Sequence, residues 1–307
     1  MVDELRKNES LGDLGEDRIL SRLADFGGWN ARVTCGIGDD CSVCRTENPA
    51  VDQVFTSDAT IEGIHFRIDE DPVRVGRKAV SRVLSDIASM GASPEWILIN
   101  VVAPKEMKLG SLEAIYEGIQ ERLHTLGGVL VGGDLTEGSV LALHIFASGT
   151  LPHGTAILRS GVVNGDLIWT TGKLGGSAAG KHLDFIPRVR EGIWLRNSGL
   201  VHAMTDVSDG LVTDLKHMIE TKKVGAAIEA RVLEAMSSVD QALYDGEDFE
   251  LLFTTSPDVE ESVQKEWRKT FTKPLWKIGS VVTSTQEIQL HDEGTYRSLP
   301  GGYAHHF

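Results

Sequence analysis

Two stretches of this 307-residue chain carry apolar residues at helical spacing, and short apolar runs that end in polar residues surround both. Val75, Ala79, Val80, Val83, Leu84, Ile87 and Met90 recur with the helical period, Pro72 stands at the start and Gly91 at the stop, so a helix is predicted over 72–91. Ser111 to Leu126 repeats the pattern and is closed by Gly127-Gly128. Residues 53–58, 96–102, 129–131 and 140–148 read as strands, with a turn predicted at Gly132 to Thr136 and an opening helix at Leu11 to Phe26. Pro152, Gly154 and Gly161 mark a boundary near 151–165. Beyond it, strands at 167–171, 203–207, 226–229, 250–254 and 276–282 interleave with a helix opened by Gly175–Gly180 and another over 211–220. The expected fold is mixed α/β in two domains, 1–151 and 152–307.

The chain is 41% hydrophobic and 24% charged, and no apolar run approaches the roughly 20 residues that span a bilayer. Residues 1–10 are polar and charged, unlike a secretory signal. A soluble cytoplasmic protein with no membrane partner is expected. The net charge of −15 argues against nucleic acid, which demands a basic face. Three cysteines, Cys35, Cys41 and Cys44, fit a reducing compartment. Cys41-Ser-Val-Cys44 has redox or zinc spacing, but no second pair accompanies it, so ordinary strand cysteines are the better reading.

The chemistry lies in aspartates at element ends: Asp39 and Asp40 in GIGDDC, Asp58 in TSDATIEG, Asp86 in LSDIASMG, Asp134 in GGDLTEG, and Asp206 with Asp209 in TDVSDGL. Most stand beside Ser, Thr or Gly. Carboxylates with hydroxyls and carbonyls are hard oxygen donors that suit Mg²⁺. Singly, each has a plainer reading: a turn residue beside glycine, an ion pair of Asp86 with Arg82 one helical turn before it, a helix cap at Asp209. Together, repeated motifs of one type favour metal and polyphosphate.

Gly175-Gly-Ser-Ala-Ala-Gly-Lys-His182 nearly fits a phosphate-binding P-loop, but His182 stands where a hydroxyl should bind Mg²⁺. A glycine-rich helix start in close packing is the better reading. Arg159 is the best cationic candidate for a phosphate, a surface arginine being the alternative. His65 follows the Asp58 loop.

GIGDDC, TSDATIEGIHF, LSDIASMGASP, GGD, RSGVVNGD, TGKLGGSAAG, DVSDGL, GEDFELLF and KIGSV occur here in one order, spanning nearly the whole chain. In these motifs the chain resembles the thiamine-monophosphate kinase family, within the wider aminoimidazole ribonucleotide synthetase-like superfamily. It departs from the family's pattern at Val83, Leu135 and Asp245, and has Pro300-Gly-Gly302 near its end.

The resemblance implies a sheet-forming N-terminal domain that pairs two copies as a homodimer, and a C-terminal α/β domain that closes a cleft over ATP and thiamine monophosphate. It implies magnesium ligands at Asp40, Asp58, Asp86, Asp134, Asp206 and Asp209, assisted by Thr56 and Ser57. It implies ATP contacts at Tyr116, Gly133, Asp134, Arg159 and Ser208, and substrate contacts at His65, Glu247 and Tyr303. The expected reaction is in-line transfer of the γ-phosphoryl group of ATP with several Mg²⁺ ions and no covalent nucleophile. Two alternatives stay open: another ATP-dependent enzyme of the superfamily, and a non-catalytic nucleotide-binding homologue.

Overall fold

A computed structural model describes residues 10–14 and 16–301. Strands β1 (Val33–Cys35), β2 (Ser42–Arg45), β3 (Val51–Ile61), β4 (Ser93–Ala103), β5 (Val129–Glu137) and β6 (Ala142–Pro152) form one sheet, ordered β1-β2-β3-β6-β4-β5. A second sheet holds β7 (Leu167–Thr170), β8 (Val201–Asp206), β9 (Gly225–Glu229), β10 (Leu251–Thr255), β11 (Trp276–Val282), β12 (Ile288–Asp292) and β13 (Thr295–Ser298), ordered β13-β12-β9-β11-β7-β10-β8. Both sheets mix parallel and antiparallel pairs.

The helix predicted from the apolar period runs from Pro72 to Ser89. It starts where it does because the Asp71 side chain accepts from the Val73 amide at 2.9 Å, and Pro72 has no amide hydrogen to leave unsatisfied. It stops because Gly91 takes a φ of 69°, a left-handed conformation that glycine adopts without strain. The second helix, Leu109–Leu126, crosses it at unusually close range. A Cβ on Gly76 would lie 1.9 Å from the Ile115 carbonyl oxygen, and one on Gly118 would lie 2.0 Å from that of Val73. Each helix therefore has a glycine where the other's backbone passes.

Strand alternation divides the first sheet. Ile97, Ile99 and Val101 of β4 and Leu143, Ile145 and Ala147 of β6 turn inward onto the long helix. That core continues past the helix to Trp169, Met204, Leu251 and Phe253 of the second sheet, so the long helix lies between the two sheets. The second sheet's other face buries Ile168, Ala226, Ile228 and Ile278 against the helix Leu211–Ile219. The first sheet's other face leaves Trp96, Leu98, Val131 and Phe146 exposed.

Several boundaries differ from the sequence reading. The opening helix is a short 3-10 turn followed by Glu16–Ala24. The Gly175–Gly180 segment opens only a 3-10 turn and a four-residue helix. The turn expected at Gly132 to Thr136 is instead the body of β5, paired in parallel with β4. Gly133 has a φ of 155°, and a Cβ there would lie 1.8 Å from the Ile99 carbonyl oxygen. Gly133 therefore serves a close approach of the paired strand's backbone, not a reversal.

Candidate active site

A cleft of about 610 Å³ opens between the two sheets, above the polar end of the long helix. Six chain segments meet there. The loop between β1 and β2 brings Asp39 and Asp40. Strand β3 brings Thr56 and Asp58 on one face, since side chains two apart point the same way, and Ser57 on the other. The helix brings Lys78, Arg82, Ser85 and Asp86. Arg159 comes from the segment after β6, Asp206, Ser208 and Asp209 from the end of β8, and Glu247 from the loop before β10.

Three carboxylates from separate segments, Asp40, Asp86 and Asp206, converge so that an oxygen of each lies within 4.8 Å of the others. Thr56 Oγ1 donates to Asp86 Oδ2 at 2.6 Å, and Ser85 Oγ donates to Asp206 Oδ2. Arg159 Nε donates to Asp40 Oδ1 at 3.0 Å, and Thr205 Oγ1 donates to the same oxygen at 3.0 Å. Asp40 Oδ2 is buried with no hydrogen-bond partner among the described residues. Burial and the charge of Asp40 push Asp206 up to about 7. Burial and the charge of Asp206 push Asp86 well above the usual carboxylate range. Crowded, desolvated carboxylates with one orphan oxygen are a donor set that a divalent cation completes.

Beside this cluster is a second group of charges. Arg82 forks onto Asp58, and Lys78 reaches Glu247 Oε1 at 2.6 Å and the His65 carbonyl oxygen at 2.5 Å. His182 Nδ1 lies 3.2 Å from Glu247 Oε2. Burial opposes the charge on Glu247, but hydrogen bonds from His182 and Lys78, with their field and that of Arg82, hold its pKa at about 2. Glu247 has a φ of 61° and Phe249 one of 50°, a strained stretch at the cleft wall. The Glu247 amide donates to the Ser208 carbonyl oxygen at 2.7 Å, which fixes that stretch to the backbone of the Ser208–Asp209 loop. His65 Nδ1 accepts from the Ile61 amide at 3.0 Å. Burial and the Arg82 charge lower its pKa to about 4, so it is neutral at pH 7.

The structure thus brings Asp40, Thr56, Ser57, Asp58, His65, Asp86, Arg159, Ser208, Asp209 and Glu247 to one cleft, with Asp206 at its floor. A second cleft, about 770 Å³, shares Asp39, Asp40, Ser57, Arg159, Ser208 and Asp209 with the first and extends toward Ala24 and His217. Gly133 and Asp134 lie elsewhere, on the outer strand β5. Asp58 faces Ile145, Ile145 faces Ile99, and Ile99 faces Gly133, three strand spacings or roughly 14 Å away. Tyr116 sits on the helix Leu109–Leu126, outside the cleft. Tyr303 lies outside the described residues.

Two of the plainer single-residue readings fall away. Arg82 does not pair with Asp86; its carboxylates are Asp58 and Glu247. Asp209 does not cap the helix Leu211–Ile219: the cap position is Gly210, which makes no side-chain bond. Instead Asp214, buried in that helix, accepts from the Ser208 and Asp209 amides at 3.0 and 3.1 Å and shapes the loop. Lys78, Arg82, His182 and Asp214 were not foreseen as site residues. The one signal for the first two was that polar residues at 78, 82, 85 and 86 fall along one side of the helix at i, i+4 spacing, among the apolar positions that bury it. The glycine-rich segment is packing, as expected. The Gly175 and Gly176 amides are taken by Asp248 at 2.6 Å and Asp245 at 2.8 Å, where a P-loop would offer them to phosphate. The three cysteines are free.

Two family models match: AIR synthase related protein, N-terminal domain, over residues 38–151, and AIR synthase related protein, C-terminal domain, over 165–291. The chain is 34% identical to a thiamine-monophosphate kinase from Rhodopirellula baltica over 296 residues, covering 89% of this chain and 92% of that protein. A thiamine-monophosphate kinase from Stenotrophomonas maltophilia superposes with a TM-score of 0.73 at 28% identity, covering 91% and 96% of the two chains. AaThiL complexed with AMPPCP and TMP has the same fold, with a TM-score of 0.82 at 24% identity over 97% and 99%. The nine motifs, the two-sheet fold and these matches agree, and the chain belongs to the thiamine-monophosphate kinase family.

Proposed function

We propose that this protein transfers the γ-phosphoryl group of ATP to thiamine monophosphate, giving thiamine diphosphate. The observation that carries the reading is the convergence of Asp40, Asp86 and Asp206, with an orphan oxygen on Asp40, at the floor of a cleft walled by arginines. It is supported by the relatives' activity and by a structural neighbour solved with an ATP analogue and TMP.

The residues present fit Mg²⁺. Asp40, Asp86 and Asp206 would hold one part of it, Asp58 and Asp209 another, with Thr56 and Ser57 beside them. Bound there, the ions would neutralise phosphate oxygens as two polyanions approach. Asp134 belongs to the same reading as a ligand or nucleotide contact reached along the sheet, with Gly133 and Tyr116. Arg159 and Ser208 face the phosphates. His65 and Glu247 face the acceptor; neutral His65 adds no charge, and Glu247, ionised and fixed by Lys78 and His182, offers an acceptor to a cationic ring. Tyr303 is assigned to the acceptor on the resemblance alone.

The acceptor phosphate is largely ionised at pH 7, so no strong general base is needed. What the protein supplies is alignment and charge. Transfer is in line, with no phospho-enzyme.

The exposed stripe Trp96, Leu98, Val131 and Phe146 is the surface we assign to a homodimer. The division at 151/152 and a cytoplasmic location complete the reading. No helix among the described residues is long and apolar enough to cross a membrane.

The test is a product assay with ATP, Mg²⁺ and thiamine monophosphate, with thiamine as the control acceptor. Thiamine diphosphate with stoichiometric ADP, from the monophosphate only, is expected. ADP release without thiamine diphosphate would redirect the assignment to another acceptor. No nucleotide turnover would leave a binding protein.

A further inference from the structure

Arg82 sits at the meeting point of the two charge groups. Its Nε donates to Asp58 Oδ2 at 2.5 Å and its Nη2 to Asp58 Oδ1 at 3.0 Å. Its Nη1 donates to Glu247 Oε1 at 3.3 Å, and its guanidinium carbon lies 5.8 Å from the centre of the Phe249 ring. The side chain is only 14% exposed, yet it lines the cleft.

Both Asp58 oxygens are therefore engaged, Oδ1 also by the Ala59 amide at 2.7 Å. Asp58 is assigned above to a metal ion. A divalent cation and a guanidinium cannot share these oxygens without strong repulsion, because at a few ångströms in partly dry surroundings like charges interact strongly. In this structure the arginine occupies Asp58.

The charges around it balance. Lys78 and Arg82 face Asp58 and Glu247, two cations against two carboxylates. If Asp58 passes to a metal ion, Arg82 keeps only Glu247, at the longer distance, and its fork turns to the cleft with one unmatched charge. A guanidinium fork matches phosphate oxygens as well as it matches a carboxylate.

We propose that Arg82 is a resident counter-ion that exchanges Asp58 for a phosphoryl oxygen when nucleotide and metal arrive together. It is a positioning residue: it keeps Asp58 from a metal ion until a polyphosphate is present to take the arginine. Metal and nucleotide then strengthen each other's binding, because each removes what opposes the other. The proposal rests on the metal reading of Asp58.

The test is Mn²⁺ binding to the full-length protein, followed by loss of the free-ion EPR signal, with and without a non-hydrolysable ATP analogue. Without nucleotide, Arg82→Gln is expected to bind Mn²⁺ at least about tenfold more tightly than the wild type. The gain in Mn²⁺ affinity that the analogue brings should shrink by a similar factor. Arg82→Lys keeps the charge and should stay within about threefold of the wild type.

Unchanged Mn²⁺ affinity in Arg82→Gln overturns the exchange. The metal reading is checked separately by Asp58→Asn with the analogue present. A loss of about tenfold or more in Mn²⁺ affinity supports that reading. No loss removes Asp58 from the metal site, and the exchange with it. Should Arg82→Gln fail to fold, the Arg82 Nε–H resonance of ¹⁵N-labelled wild-type protein decides. It should shift when Mg²⁺ and the analogue are added together, and a resonance unmoved at saturation overturns the proposal.

Discussion

Asp40, just before β2, and Arg159, just after β6, are paired, with Arg159 Nε donating to Asp40 Oδ1 at 3.0 Å while Asp40 Oδ2 stays buried and without a partner among the described residues. The same arginine's backbone amide donates to Asp39 Oδ2 at 3.1 Å, so one residue holds both aspartates of the β1–β2 loop.

Arg159→Ala should therefore leave a buried carboxylate unpaired, at a cost of about 3 kcal/mol, and weaken ATP binding. Because the orphaned Asp40 is also a proposed metal ligand, Mg²⁺ should raise the melting temperature of the variant more than that of the wild type. Thermal melts with and without Mg²⁺ check this. Equal Mg²⁺ shifts in the two proteins would detach Asp40 from the metal site.

Asp58→Asn and Asp209→Asn should each lower turnover by at least about a hundredfold while the far-UV circular dichroism stays unchanged. The amide keeps the shape of the side chain and removes the anionic oxygen. Near-normal activity in either variant would remove that residue from the metal set.

The pH dependence of stability has a definite sign. Burial, followed by the field of Asp40, raises Asp206 and Asp39 from an ordinary value of 3.8 to about 7. The folded state then holds these protons more tightly than the unfolded chain does. The stabilisation is complete below about pH 4 and is lost as pH rises through 7, by up to about 4 kcal/mol for Asp206. Without metal, the melting temperature should fall between pH 5.5 and 8. Asp206→Asn should flatten that slope. A wild-type curve that rises over this range would contradict the arrangement.

Gly118→Ala should destabilise the fold by about 3 kcal/mol, the upper end of the range for overpacking, although alanine favours helix. The added Cβ would meet the Val73 carbonyl oxygen at 2.0 Å, and backbone cannot step aside as a side chain can. Gly110→Ala, at the start of the same helix, meets nothing within 4 Å and serves as control. Chemical denaturation of both variants compares them directly.

The sequence carried the long helix and most strands because their apolar period is strong, and it carried the aspartates because strand ends are marked by Gly, Ser and Thr. It misled at Gly132–Asp134, since glycine signals a turn and a close approach of a paired strand equally well. It did not carry the cationic half of the site. Arg82 lies four residues before Asp86, which reads as a local ion pair. Its partners Asp58 and Glu247 lie 24 and 165 positions away, and only the packing of the helix between two sheets brings them together. Glu247 was named from the motif that holds it, while of the two residues that fix it Lys78 carries no motif and His182 stands in a run that reads as a failed P-loop.

Lys78, Arg82, Ser85 and Asp86 lie on one stripe of one helix, and each touches a different residue: Glu247, Asp58, Asp206 and Thr56, on three other segments of the chain. Each residue added to or removed from a helix turns everything beyond it by about 100° and slides it by about 1.5 Å. A single insertion between Lys78 and Asp86 would therefore misalign the stripe as a whole, with no one contact able to compensate for another. The count of residues along this helix is thereby fixed by the four partners it must meet at once.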